Sequence, residues 1–183
     1  MRMNKADGQT AADILNTYEV NELHKIFGMY GELKNARTCA QLIEKARKLK
    51  EIESIEEFKH ILRPCTPRGR ENKYLAQVFQ ALRIVVNEEM LALEEMLLQC
   101  EEVIDEKGRL VVMSYHSLED RLVKNYLKQG KLHGQGEKDF YGNLLKPFME
   151  ISRKPVVAQQ QEIEKNNRAR SAKLRIAEKI KMK

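Results

Sequence analysis

The chain has 183 residues, 42% of them hydrophobic and 33% charged, with a formal net charge of +6. That balance fits one globular domain or two small ones with a real core, and it excludes a disordered tract. No apolar run approaches the roughly 20 residues that span a bilayer, and no secretory signal opens the chain, so a cytoplasmic protein with no membrane partner is expected.

Residues 1–9 carry no periodicity and read as an irregular lead-in. Thr10 can cap a short helix through Ile14 and Leu15. A second helix is expected from about Val20 to Tyr30, with Leu23, Ile26 and Phe27 on one side and Gly31 as its stop. A third, from about Lys34 to Lys50, places Ala36, Cys39, Ala40 and Ile43 on one face. Ser54 with Glu57 forms a capping box that opens a fourth. Four short helices with no strand among them describe an all-α subdomain over residues 1–70. Residues 64–72, with two prolines, a glycine, Arg68 and Arg70, read as its hinge.

The longest periodic segment follows, from Lys73 to Ile104, with Asn87-Glu88-Glu89 as a place where one helix can end and another begin. Gln80 and Arg83 lie on its polar flank and are expected to be solvated. Leu110 to Met113 is a continuous apolar run after Gly108, the pattern of a strand buried on both faces in a parallel sheet. Ser117 with Asp120 resembles a capping box, and Leu118, Leu122 and Tyr126 continue at helical spacing. Ser114, Tyr115 and His116 therefore stand at the carboxyl end of a core strand, where open α/β sheets bind ligands. His116 suits proton transfer or orientation of a base, or in a structural role bonds the strand end and the helix cap; Tyr115 can stack on a base, and Ser114 can line the same pocket. These three are the candidate catalytic residues.

Residues 129–147 are rich in glycine and read as a mobile surface loop that could order over a substrate. Phe148 to Val157 is a short strand interrupted at Arg153-Lys154-Pro155, and Gln160 to Asn166 one or two helical turns. Ala172 to Lys179 alternates Leu174 and Ile176 with Lys173 and Arg175, the pattern of a half-exposed strand whose basic side faces outward. Residues 153–183 hold ten Lys or Arg against three Glu, a net +7, so a polyanion would be met there. Arg168, Arg170, Lys173 and Arg175, with Arg68 and Arg70 in the hinge, are the expected phosphate contacts. Lys179, Lys181 and Lys183 read as a solvated tail. Cys39, Cys65 and Cys100 are odd in number and lack C-x-x-C spacing, so buried thiols are expected, and no metal site.

Six blocks in order carry a resemblance: M-R-M-N with T-A-A-D-I-L-N (10–16), Y-G-E (30–32), F-Q-A-L-R-I-V-V-N (79–87), G-R-L-V-V-M-S-Y-H-S-L-E-D-R-L-V-K (108–124), R-K-P-V-V (153–157) and N-N-R-A-R-S-A-K-L-R-I-A-E-K (166–179). Together they resemble the C-terminal portion of the bacterial small-subunit (16S) ribosomal RNA cytosine-N4 methyltransferases. The resemblance implies methyl transfer from S-adenosylmethionine to a cytidine amine, with ribosomal RNA of the small subunit as partner. It also implies an α/β fold: the C-terminal half of a Rossmann-like class I methyltransferase sheet over residues 71–183, preceded by residues 1–70 as an all-α inserted subdomain. Two positions depart from the family pattern, Glu106-Lys107 before Gly108 in place of P-G, and Asn167 in place of proline. The family's cofactor loop lies upstream of M-R-M-N, so the cofactor-binding residues are unknown in this chain. The fragment is expected to be inactive alone. Non-enzymatic binding of RNA, the ribosome or a protein partner, or service as one half of a split methyltransferase, are the alternatives. The strand at Leu110 would also lack a neighbour, and a dimer or partner at that edge is expected.

Overall fold

The computed structural model describes Met3 and residues 8–181. Most of the expected irregular lead-in, and Lys183 of the expected tail, lie outside the described residues. The chain forms two compact units, residues 1–89 and 90–183.

Five helices make the first unit: α1 (Ala11–Thr17), α2 (Val20–Met29), α3 (Ala36–Arg47), α4 (Ile55–Leu62) and α5 (Glu71–Val86). Local chemistry starts two of them as the sequence suggests. Thr10 Oγ1 accepts from Asp13 N at 3.0 Å while the Asp13 carboxylate takes the Thr10 N–H at 2.7 Å. Ser54 and Glu57 repeat the exchange at α4. Ile14, Leu23, Phe27, Ile43, Leu62 and Leu82 are wholly buried where the helices meet. Polar side chains close what the caps leave open. Arg47 donates to the carbonyls of Leu15 and Tyr18 at 3.0 and 2.6 Å, ending α1. Gln80 is half-buried and donates to the Tyr30 carbonyl at 3.0 Å, so it serves the end of α2 rather than solvent.

The long periodic segment does break at Asn87. Glu88 adopts a left-handed φ of 50°, and α6 (Glu89–Val103) begins immediately after it. Arg83, read as solvated, instead makes a two-pronged bond to Glu89 at 2.7 and 2.9 Å across that break. By packing, α5 joins the first unit, against α1 and α2.

In the second unit, α6 precedes a four-stranded sheet: β1 (Arg109–Ser114), β2 (Phe148–Glu150), β3 (Val156–Val157) and β4 (Lys173–Lys179). Between β1 and β2 runs α7 (Ser117–Gln129), and α8 (Gln160–Lys165) follows β3. β4 lies in the middle, with β1 on one side and β2 and β3 on the other, and every pair is antiparallel. The parallel arrangement expected for β1 is therefore not found. Leu110 pairs with Ala177, Val112 with Arg175 and Ser114 with Lys173. This register puts Leu110 and Ala177 on one face, packed with Phe148 under Leu97, Leu122 and Val123.

The second face is open. Val111 and Met113 are 53% and 52% exposed, so β1 is buried on one face and not on both. The alternation of β4 is inverted as well. Arg175 and Ala177 are the buried residues, and Leu174 and Ile176 sit half-buried on the open face. An ion pair between Arg175 and α7 holds the charged side inward.

Residues 130–147 form a pinned loop rather than a free one. Leu145 N donates to Glu137 O at 2.8 Å, Asp139 N to Asn143 O at 2.9 Å, and Lys138 bridges Leu144. Gly130 ends α7 with φ 72°, and a Cβ there would meet the backbone of Leu145 and Lys146. Gly130→Ala is expected to lower stability by about 1 kcal/mol or more, read as a lower urea midpoint at unchanged slope.

Candidate active site at the end of the first strand

β1 delivers Ser114 to the covered face, and the chain then turns through Tyr115 and His116 into α7. His116, not Ser117, is the N-cap. Its Nδ1 accepts from Glu119 N in a long 3.4 Å contact, while Glu119 Oε2 accepts from Tyr115 N and His116 N at 2.8 and 3.3 Å. Histidine rarely caps helices, which is why the Ser117–Asp120 spacing misled. With Nδ1 accepting, a neutral imidazole carries its hydrogen on Nε2. That atom lies 3.2 Å from Glu119 Oε1 but is not aligned with it for a hydrogen bond. Burial by itself would raise the Glu119 pKa; the His116 side chain and the backbone N–H groups outweigh it and hold the carboxyl below its ordinary value.

Ser114 is 2% exposed, and its Oγ has no hydrogen-bond partner. Unpaired buried hydroxyls are uncommon because each one forfeits its bond to water. Two polar atoms, Ser114 Oγ and His116 Nε2, are thus buried and unsatisfied within three residues at the carboxyl end of β1. Tyr115, between them, is 55% exposed. The three residues singled out from the sequence are brought together by the strand end.

The expected phosphate contacts divide. Arg168 and Arg170 are exposed on a 3-10 turn, Asn167–Ser171, whose entry is capped by Asn166 Oδ1 accepting from Arg168 N at 3.1 Å. Arg68 and Arg70 are exposed in the first unit before α5. Arg175 is placed elsewhere: at 6% exposure its Nε donates to Asp120 Oδ1 at 2.7 Å, and Lys173 Nζ reaches Asp120 Oδ2 at 3.1 Å. The guanidinium is used inside the protein. Lys179 is no tail residue either, since its Nζ donates to Glu101 O at 2.6 Å and stands 5.2 Å from the Phe148 ring centre. Sequence reasoning missed Asp120 as the anchor of this cluster. The signal available was an acid in the first turn of α7 with two bases two residues apart on a later strand.

A sequence model of the MraW methylase family matches residues 1–180. The chain belongs to that family. Among its curated members, ribosomal RNA small subunit methyltransferase H of Bacteroides thetaiotaomicron is 57% identical over 179 residues, which are 98% of this chain and 59% of the relative. Its namesakes in Cytophaga hutchinsonii and Parabacteroides distasonis are 55% and 54% identical over 178 and 180 residues. The chain spans 59% of the length of these relatives and corresponds to their C-terminal portion. The family's methyltransferases make S-adenosylmethionine the implied methyl donor. The described residues fit that donor poorly: beyond the two unpaired atoms at the end of β1 they form no glycine-rich turn to receive its ribose or its methionine portion.

Proposed function

We propose that this chain is the substrate-holding portion of an S-adenosylmethionine-dependent methyltransferase acting on the exocyclic amine of a cytidine in small-subunit ribosomal RNA. Residues 1–70, with α5 packed on them, are its inserted helical subdomain, and residues 90–183 belong to a Rossmann-like core. The observation that carries the reading is the pair of buried, unpaired polar atoms at the carboxyl end of β1. Both atoms are closed to solvent, so a base reaches them only when the turn at Tyr115 moves aside, and their chemistry then complements a cytosine edge. Ser114 Oγ can accept from the N4 amine, and the His116 Nε2–H can donate to N3 or O2. Tyr115 offers a ring for stacking. Arg168 and Arg170 hold phosphates from the second unit, and Arg68 and Arg70 offer a separate phosphate contact on the first.

In this reading His116 orients the base rather than removing its proton, because its accepting nitrogen is spent on the helix cap. The chain's part of the reaction is alignment of the amine, the term that dominates when a nucleophile must meet a methyl group in line. The names of the relatives, which are ribosomal RNA methyltransferases, support the same substrate class.

The test follows the His116 imidazole by NMR while a short cytidine-containing single-stranded RNA is added, with His116→Asn to assign the signal among the four histidines. A saturable shift of His116 that is lost when uridine replaces cytidine is expected. RNA binding that leaves the His116 signal unmoved would count against the site.

A second reading has its own observation. The open edge of β1 and the apolar open face of the sheet favour a chain that works joined to a partner, as one half of a split methyltransferase or as a dimer.

A further inference from the structure

The pinned loop ends in two aromatic rings that nothing covers. Phe140 is 97% exposed and Tyr141 86%, and they stand edge to face with centres 5.6 Å apart. Here the backbone holds them out. Asp139 Oδ1 accepts from Tyr141 N at 2.9 Å and from Asn143 N at 2.8 Å, and Oδ2 accepts from Asn143 Nδ2 at 3.0 Å. Those bonds hold the Asp139 carboxyl below its ordinary pKa. Beneath the tip, the Lys138–Leu144 bridge and the Leu145 N to Glu137 O bond close the neck. His133, 3.0 Å from Glu94 on α6, ties its first limb down. The result is a rigid turn presenting two bare rings.

We infer that Phe140 and Tyr141 form a stacking platform for unpaired bases of the RNA that flanks the target nucleotide. The inference rests on the RNA reading above and deepens it. Charge selects the partner. Residues 121–183 hold sixteen Lys or Arg against six Asp or Glu, a net +10; beside the rings exposed Lys138 stands between Glu137, which pairs with Lys131, and Asp139, whose carboxylate is bonded within the turn. Two exposed rings on a strongly basic stretch of the chain match single-stranded nucleic acid, whose bases offer flat faces between phosphates. A protein partner would instead call for a broader continuous apolar patch. Position narrows the role further. The loop leaves the C-terminal end of α7 and the candidate site lies at its N-terminal end, so about 20 Å of helix separates the base of the loop from that site. The platform grips RNA several nucleotides from the base held at His116.

The chain contains no tryptophan, so Tyr141→Trp in the 183-residue protein places a single reporter on the platform. Titration with a ten-nucleotide single-stranded RNA is expected to quench its emission saturably, and the same sequence as a duplex to quench it far less. In parallel, Phe140→Ala with Tyr141→Ala is expected to weaken single-strand binding about tenfold or more while leaving duplex binding and the melting temperature unchanged. Arg168→Ala with Arg170→Ala should weaken both. If RNA binds with unaltered emission and the alanine pair binds as tightly as wild type, the platform is overturned while the RNA reading stands. If the folded wild-type chain binds neither RNA, both fall. If the alanine pair alters only self-association, the rings are a protein contact and the platform is likewise overturned.

Discussion

Replacing Asp120 with alanine is expected to destabilise the second unit by roughly 3–5 kcal/mol, measured by urea unfolding at neutral pH. The reason lies with the partner left behind. Arg175 is 6% exposed, and without Asp120 its guanidinium would remain buried and unpaired, whereas Lys173, with a side chain 42% exposed, can turn to water. Exchanging both partners for apolar residues, Asp120→Leu with Arg175→Met, is expected to recover most of the loss, because a well-packed apolar pair removes the desolvation cost of both charges. A loss below about 1 kcal/mol for Asp120→Ala would mean that the pair is solvated.

The same cluster sets a pH dependence with a definite sign. Burial alone would raise the Asp120 pKa, but the bonds from Arg175 and Lys173 outweigh it and hold the carboxyl below its ordinary 3.8. A group whose folded pKa is depressed contributes stability that is complete above the unfolded value. That stability is lost as pH falls through the folded one. Unfolding free energy should therefore decline from about pH 4 downward, with a component missing in the doubly apolar variant. An identical acid limb in both proteins would refute the assignment.

The second large effect concerns the open side of the sheet. The wild-type chain is expected to self-associate at micromolar concentration, and Val111→Lys with Met113→Lys to be monomeric, as read by sedimentation equilibrium. Val111, Met113 and Met149 are each about half exposed, and β1 has a neighbour on one edge only. An antiparallel copy could satisfy that edge and cover those side chains together. Each side chain so buried contributes about 1 kcal/mol or more. Two from each copy make the lysine variant at least a hundredfold weaker. Both positions point away from the core, so its melting temperature should not fall. A wild-type monomer with a cooperative, high-temperature melt would sink the idea.

Local signals survived the step from sequence to structure, and those that depend on a distant partner did not. Thr10 and Ser54 cap their helices because the groups they bond lie three residues away. The break at Asn87 followed from side chains that compete for the helix backbone. By contrast, Leu110 to Met113 is uniformly apolar although one face is open, and a short apolar run carries no mark of what covers it. On β4, period-2 reasoning turned Leu174 and Ile176 inward. It could not know that Asp120, more than fifty residues earlier, would draw Arg175 to the covered side. The placement of Ser114, Tyr115 and His116 at the end of a strand was legible in the sequence. For His116 the structural alternative, a bond to the helix cap, is the one its Nδ1 takes.

The central place of β4 has a consequence for how the protein is made. Its partners on β1 are roughly sixty residues earlier in the chain, and β2 and β3 also pair with β4 and not with β1. While the ribosome is still adding residues before 173, no strand of this sheet has its partner. The helical unit, whose contacts are complete by residue 89, can fold as it emerges. The second unit must wait with α6 and β1 unprotected until residues 173–179 clear the exit tunnel, and its pairing is then slow because the closed loop is long. Synthesis thus leaves a window in which the apolar strand Leu110–Met113 is bare.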